Sequence, residues 1–292
     1  MTFRSLALAA GLLTSTTLGA LGQDSTVGTM VIAHGGSPAW NALVRVAAMD
    51  ARTDGPVDVS FLMGPEASSH RFQDAARRLV DRGARKIVVV PVLVSSHSGH
   101  FEQIRYLVGA TDSLSDMMHH HLHMAGIERA RVNVPIALAP AIDGDPAIVP
   151  VLSERALALA TEPARQALFL VGHGPSTPDE YAIWMRQVRD LADSVQTATG
   201  FVDVRTGLLW DDSPPPVRAE AVLRIRDLIT LQHMATGRPV VVVPLLISRG
   251  RVSDEKIPAD LAGLEIAYSG DGLLPHAAMS RWIEKRVRET IP

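Results

Sequence analysis

A chain of 292 residues, 47% of them hydrophobic, has room for one or two domains with buried cores. Its net charge of −3 argues against a dedicated nucleic-acid binder, which would carry a basic surplus or stripe. The absence of cysteine excludes disulfides, thiolate metal sites and a cysteine nucleophile.

Residues 1–22 read as a secretory signal. Arg4 supplies a positive start, and Leu6 to Leu13 is an apolar stretch too short to span a bilayer. Ala20-Leu21-Gly22 offers small residues for cleavage before Gln23. The expected mature protein is exported, periplasmic, and not inserted in the membrane once the signal is removed.

The chain then alternates strand and helix patterns. Strands are predicted at 28–36, 57–64, 86–94 and 132–140, with helices at 39–52, 68–82, 100–108 and 146–160 between and after them. "KIVVVPVLV" is apolar throughout, as a strand covered on both faces should be. The pattern restarts at "QALFLVGHGP" (166–175), which mirrors "GTMVIAHGG". Helices at 178–198 and 215–234 flank a strand at 202–210. "RPVVVVPLLISRG" (238–250) mirrors "RKIVVVPVLVSSHSG", and a strand at 264–270 and a helix at 276–289 follow. This internal duplication implies an α/β protein of two similar doubly wound parallel-sheet lobes, 26–143 and 164–292, facing each other across a cleft. Ligands of such sheets bind outside the carboxyl ends of the strands.

His34 follows the first strand, and His97 and His100 follow the third, so the topology brings them to one rim. Neutral imidazoles bind Co, Ni, Fe or Zn, and a few of them with an open side form an exchangeable site. Which of His97 and His100 is the ligand is open at this stage. Glu102 and Glu66 are candidate proton acceptors or solvated surface carboxylates. "MMHHHLHM" (117–124) carries His119, His120, His121 and His123, either on a polar mobile loop or on a metal-collecting helix. In the second half His173 keeps the His-Gly step. The later loop has Arg249 and Arg251 in place of histidine, cations suited to ligand carboxylates. No G-x-S-x-G elbow, phosphate-binding loop or G-x-G-x-x-G turn occurs, so no nucleotide is expected.

"VIAHGGSP", "FLMGPEASSHRFQDAARRLVDRGARKIVVVPVLVSSHSGH" and "VVVVPLLISRGRVSDEKIPADLAGL" together resemble the class II tetrapyrrole chelatases, the CbiX-type sirohydrochlorin cobaltochelatases. The resemblance covers nearly the whole mature chain as two tandem halves. It implies ATP-independent insertion of a divalent metal, Co²⁺ or else Ni²⁺ or Fe²⁺, into a sirohydrochlorin-like tetrapyrrole of cobalamin biosynthesis. His34 with His97 or His100 would hold the metal, and a histidine or Glu102 would take the pyrrole protons. Arg249, Arg251 and His173 would contact the macrocycle. Metal capture is expected to weaken as imidazoles protonate near a pKa of about 6.5. The second half departs from the family by placing Val252 nearest the position of its loop histidine. The alternative function is an exported carrier of metal or tetrapyrrole that keeps the fold without turnover.

Overall fold

The computed structural model describes residues 26–291, so the expected signal sequence at 1–22 lies outside the described residues. The first half runs β1 (Val27–Ala33), α1 (Pro38–Asp50), β2 (Val57–Phe61), α2 (Phe72–Asp81), β3 (Lys86–Val92), α3 (Gly99–Leu107), α4 (Asp116–Met124), β4 (Ile136–Leu138) and α5 (Val149–Leu159). The second runs β5 (Ala167–Gly172), α6 (Pro178–Thr199), β6 (Asp203–Leu208), α7 (Pro215–Thr236) and β7 (Val240–Leu245). A π-helical turn (Val252–Lys256) leads into the short α8 (Ile257–Asp260), and β8 (Ile266–Tyr268) and α9 (Ala277–Thr290) follow. Each half builds a four-stranded parallel sheet, ordered β2-β1-β3-β4 and β6-β5-β7-β8. The two-lobed, doubly wound α/β architecture expected from the duplication is therefore present.

The continuous apolar runs have a direct cause. Alternate residues of a strand point to opposite faces, and both faces here are covered. Val88, Val90 and Val92 enter one core while Ile87 and Val89 enter another. The second sheet divides in the same way, with Leu168 and Leu170 on one side and Phe169 and Val171 on the other. One central strand of each sheet, β3 and β7, carries a proline without losing a ladder bond. Ile87 N–H donates to the Pro135 carbonyl and Ala139 N–H to the Val89 carbonyl, so odd residues of β3 face β4. β4 pairs only with Ile87–Val89, so Pro91 meets a side with no neighbouring strand. Pro244 stands beyond the last β7–β8 pair in the same manner.

One core runs through both lobes, and the last helix of each half crosses over. α5 packs on β7 and α6 of the second lobe, whereas α9 packs on α1 and β3 of the first. Buried Asp145 anchors the crossing, accepting from Lys285 Nζ at 2.5 Å and lying 3.2 Å from Arg286. Arg286 also donates to the carbonyls of Ala141 (2.7 Å) and Ile142 (3.1 Å).

The histidine-rich stretch is a helix, not a mobile loop. The Ser115 side chain caps it by accepting from Met118 N–H, Asp116 lies in its first turn, and Leu122 is buried against the first sheet's outer core. Among the described residues no helix is long and apolar enough to cross a membrane.

Candidate functional site

In a sheet ordered 2-1-3-4 the chain reverses direction between strands 1 and 3, which opens a crevice at their carboxyl ends. His34 directly follows β1, and His100 lies in the first turn of α3, just beyond β3. Their rings meet edge-to-face with centroids 4.6 Å apart. Two glycines shape the His-Gly loops. Gly35 has φ +91, and a Cβ there would lie 2.1 Å from the Met63 carbonyl oxygen. Gly174 has φ +92, and its Cβ would press on Trp210 N at 2.9 Å. Only glycine suits either position.

Hydrogen bonds fix which nitrogen each ring presents. His34 Nδ1–H donates to the Gly35 carbonyl (2.6 Å), and His173 Nδ1–H to that of Gly174 (3.1 Å). His100 Nδ1 contacts Gln103 Oε1 at 2.9 Å, while Gln103 Nε2 donates to the Met118 carbonyl at 3.0 Å. That second bond fixes the amide, so Oε1 accepts and His100 Nδ1 carries the proton. Each ring therefore keeps its Nε2 lone pair free for a metal or a proton.

Burial, reinforced by the charge of His100, pushes His34 down to about 4. Burial also lowers His100. Both rings are neutral at pH 7, the state a metal ligand needs. The second lobe answers with carboxylates. His173 Nε2 lies 3.6 Å from Asp211 Oδ2 and 3.5 Å from Asp212 Oδ2, a grouping able to hold a cation. Asp211 is committed elsewhere, accepting from Lys256 Nζ at 2.6 Å and Arg218 Nε at 2.9 Å. Burial pushes its carboxyl up, but those two cations more than offset this and hold it below its ordinary value. Asp212 is exposed, and its charge acts on His34 and His100 across the lobes.

The structure brings His34, His100 and His173 together and sends other candidates elsewhere. His97 is exposed, and its carbonyl accepts from Trp184 Nε1 at 2.6 Å, a tie between the lobes. Glu102 pairs with Arg105 on α3 at 3.1 Å. Glu66 pairs with Arg45 at 2.5 Å, which holds its carboxyl below the ordinary range. Arg249 is engaged by Asp254 (3.1 Å) and Asp271 (3.4 Å), and Arg251 by Glu255 (3.3 Å), all within their own lobe. His119 packs edge-on against Tyr106 at 5.1 Å.

Asp211, Asp212 and Gln103 are candidate site residues that the sequence reading passed over. The signal for the aspartates was "LLWDD", the counterpart of "FLMG". Leu62 N–H donates to Ala33 and Leu209 N–H to Gly172, so these leucines correspond. Next, Met63 N–H reaches His34, but Asp211 N–H reaches His173. Trp210, at φ +54 and stacked on Tyr181 with centroids 5.2 Å apart, is the extra residue that moves an aspartate into the place of Met63.

Paired doubly wound lobes with histidines at the switch points define a two-lobed chelatase fold of class II. The chain belongs to the CbiX family, whose model matches residues 28–159 and again 167–290. Solved structures agree on the fold. SirB from Bacillus subtilis with Fe³⁺ superposes with a TM-score of 0.63 at 18% identity, over 91% of this chain and 95% of that one. The sirohydrochlorin chelatase SirB from Bacillus subtilis subspecies spizizenii, in complex with cobalt, gives 0.56 at 17% identity with the same coverage. A multi-domain protein from Deinococcus radiodurans with structural similarity to chelatases gives 0.56 at 15% identity, over 90% of this chain and 54% of that one. A search of curated proteins returns no match.

Proposed function

We propose that the protein inserts a divalent metal, Co²⁺ in the first instance, into a sirohydrochlorin-like tetrapyrrole without ATP. One observation carries this reading: two neutral imidazoles with free Nε2 atoms stand at one switch point, opposite an imidazole–carboxylate pair at the other. His34 and His100 replace some of the ion's waters and leave coordination positions open. The macrocycle enters between the lobes, so an oriented encounter replaces a bimolecular one. Two pyrrole N–H bonds break as two metal–nitrogen bonds form, and two protons leave. His173 accepts them in turn, and Asp212 stabilises the imidazolium. Membership of the CbiX family and the cobalt complex of SirB support the choice of metal and macrocycle.

Purified residues 23–292 with sirohydrochlorin and Co²⁺ test the reading by absorption spectroscopy. Insertion is expected to slow at least a hundredfold in His34→Ala/His100→Ala. His173→Ala should slow turnover yet still bind Co²⁺. A double variant as fast as the wild type refutes the proposal.

A second reading is a carrier of preformed metallotetrapyrrole located outside the cytoplasm. It is favoured by the absence of histidine from the loop that directly follows β7, residues 246–256, and by the ion-paired state of Arg249 and Arg251. Tight binding of cobalt-sirohydrochlorin with no insertion would establish it. Recovery of a chain starting at Gln23 from the periplasm would establish export.

A further inference from the structure

α4 serves the rim through its backbone, at the Met118 carbonyl that holds Gln103, and the rim chemistry leaves its own side chains without a task. Its apolar anchor is Leu122 alone, yet it carries methionines that bury little: Met117 is 60% exposed and Met124 71%. Both fall on the face of His121, Met117 four positions before it and Met124 three after, the spacing at which helical side chains are neighbours. This face meets a pocket of about 300 Å³ lined by His121, Met124 and, from the β2 side, Met63. His121 Nδ1 is buried and has no hydrogen-bond partner among the described residues. A buried polar nitrogen left unpaired is unfavourable unless a ligand completes it.

We propose that His121, Met124, Met117 and Met63 form a second metal site, for a soft monovalent cation, Cu(I). The donor set decides the class. Thioether sulfurs with one imidazole favour Cu(I), whereas the nitrogen and carboxylate donors of the rim suit divalent Co, Ni or Fe. Methionine side chains are flexible enough to close around an ion in a pocket larger than the ion. No cationic side chain lines this pocket. The site does not depend on metal insertion at the rim.

The full mature chain is titrated anaerobically with Cu(I) against a chromophoric Cu(I) chelator. One equivalent should bind, and X-ray absorption of the copper-loaded wild type should show sulfur scatterers. Met117→Leu/Met124→Leu and His121→Ala should each weaken Cu(I) at least tenfold while Co²⁺ binding at the rim stays within twofold. The exposed methionines accept leucine without disturbing packing, and the absorption measurement needs no variant. Unchanged Cu(I) affinity in both variants, or a copper shell without sulfur, overturns the proposal.

Discussion

His34, His100 and His173 each tie Nδ1 to an oxygen and leave Nε2 free. For His100 the tie depends on buried Gln103. Gln103→Leu removes the acceptor and frees the ring to rotate or exchange tautomers. Co²⁺ affinity should then fall about tenfold, the lower end of what supporting hydrogen bonds contribute at metal sites, as read from the cobalt absorption bands. A second prediction concerns acid. The sequence alone suggests loss of metal near pH 6.5, but burial holds His34 at about 4. Between these values the unfolded chain binds a proton that the folded chain does not. Stability therefore falls as pH drops from about 6.5 to about 4, by at most on the order of 3 kcal/mol from this group, and the effect levels off below. Urea midpoints at pH 7 and pH 4.5 should differ less in His34→Gln than in the wild type. If the two show equal pH dependence, His34 does not carry the effect.

Elements place these residues, and the crossed helix α9 is the element most exposed to test. Asp145→Ala would leave buried Arg286 with only the half-exposed Glu289 as counter-charge, a change that costs at most about 3–5 kcal/mol, the range for an unpaired buried charge. Asp145→Ala/Arg286→Met removes both charges and should recover part of that loss in urea unfolding. The crossing itself was not legible in the sequence. A helical pattern reveals which face of α9 is apolar, not which sheet will cover it. The strands were legible because burial on both faces leaves an unbroken apolar run, as in "IVVVPV". α4 was ambiguous because only Leu122 reaches a core, too weak a stripe to announce a helix. His34 could be placed from strand order alone. Separating His97 from His100 needed the Ser98 cap, which starts α3 and puts His100 on the same helical face as Gln103. Asp211 and Asp212 were hidden by the one-residue insertion at Trp210, which breaks the match between the repeats.

At the scale of the whole molecule, the duplication predicts how a single half should behave. Residues 26–165 contain the first sheet, its outer helices and α5, but lack α9, which covers the inner face of β3 in the full chain. Val88, Val90 and Val92 would face water on that side. Val151, Leu152 and Ala156 of α5 would likewise lose the sheet they pack on. At roughly 25 cal/mol per Å² of apolar surface, neither face is stable uncovered. Two copies remove both problems by trading α5 as the full chain trades α5 and α9, and such a trade closes with two-fold symmetry. Sedimentation of this fragment should therefore reveal a dimer, and a folded monomer would contradict the argument. The dimer would carry His34 and His100 twice but neither His173 nor Asp212. It should bind two Co²⁺ while inserting metal at least a hundredfold more slowly than the full chain. Equal insertion rates would mean that the second lobe accepts no protons and that its divergence from the first serves some other end.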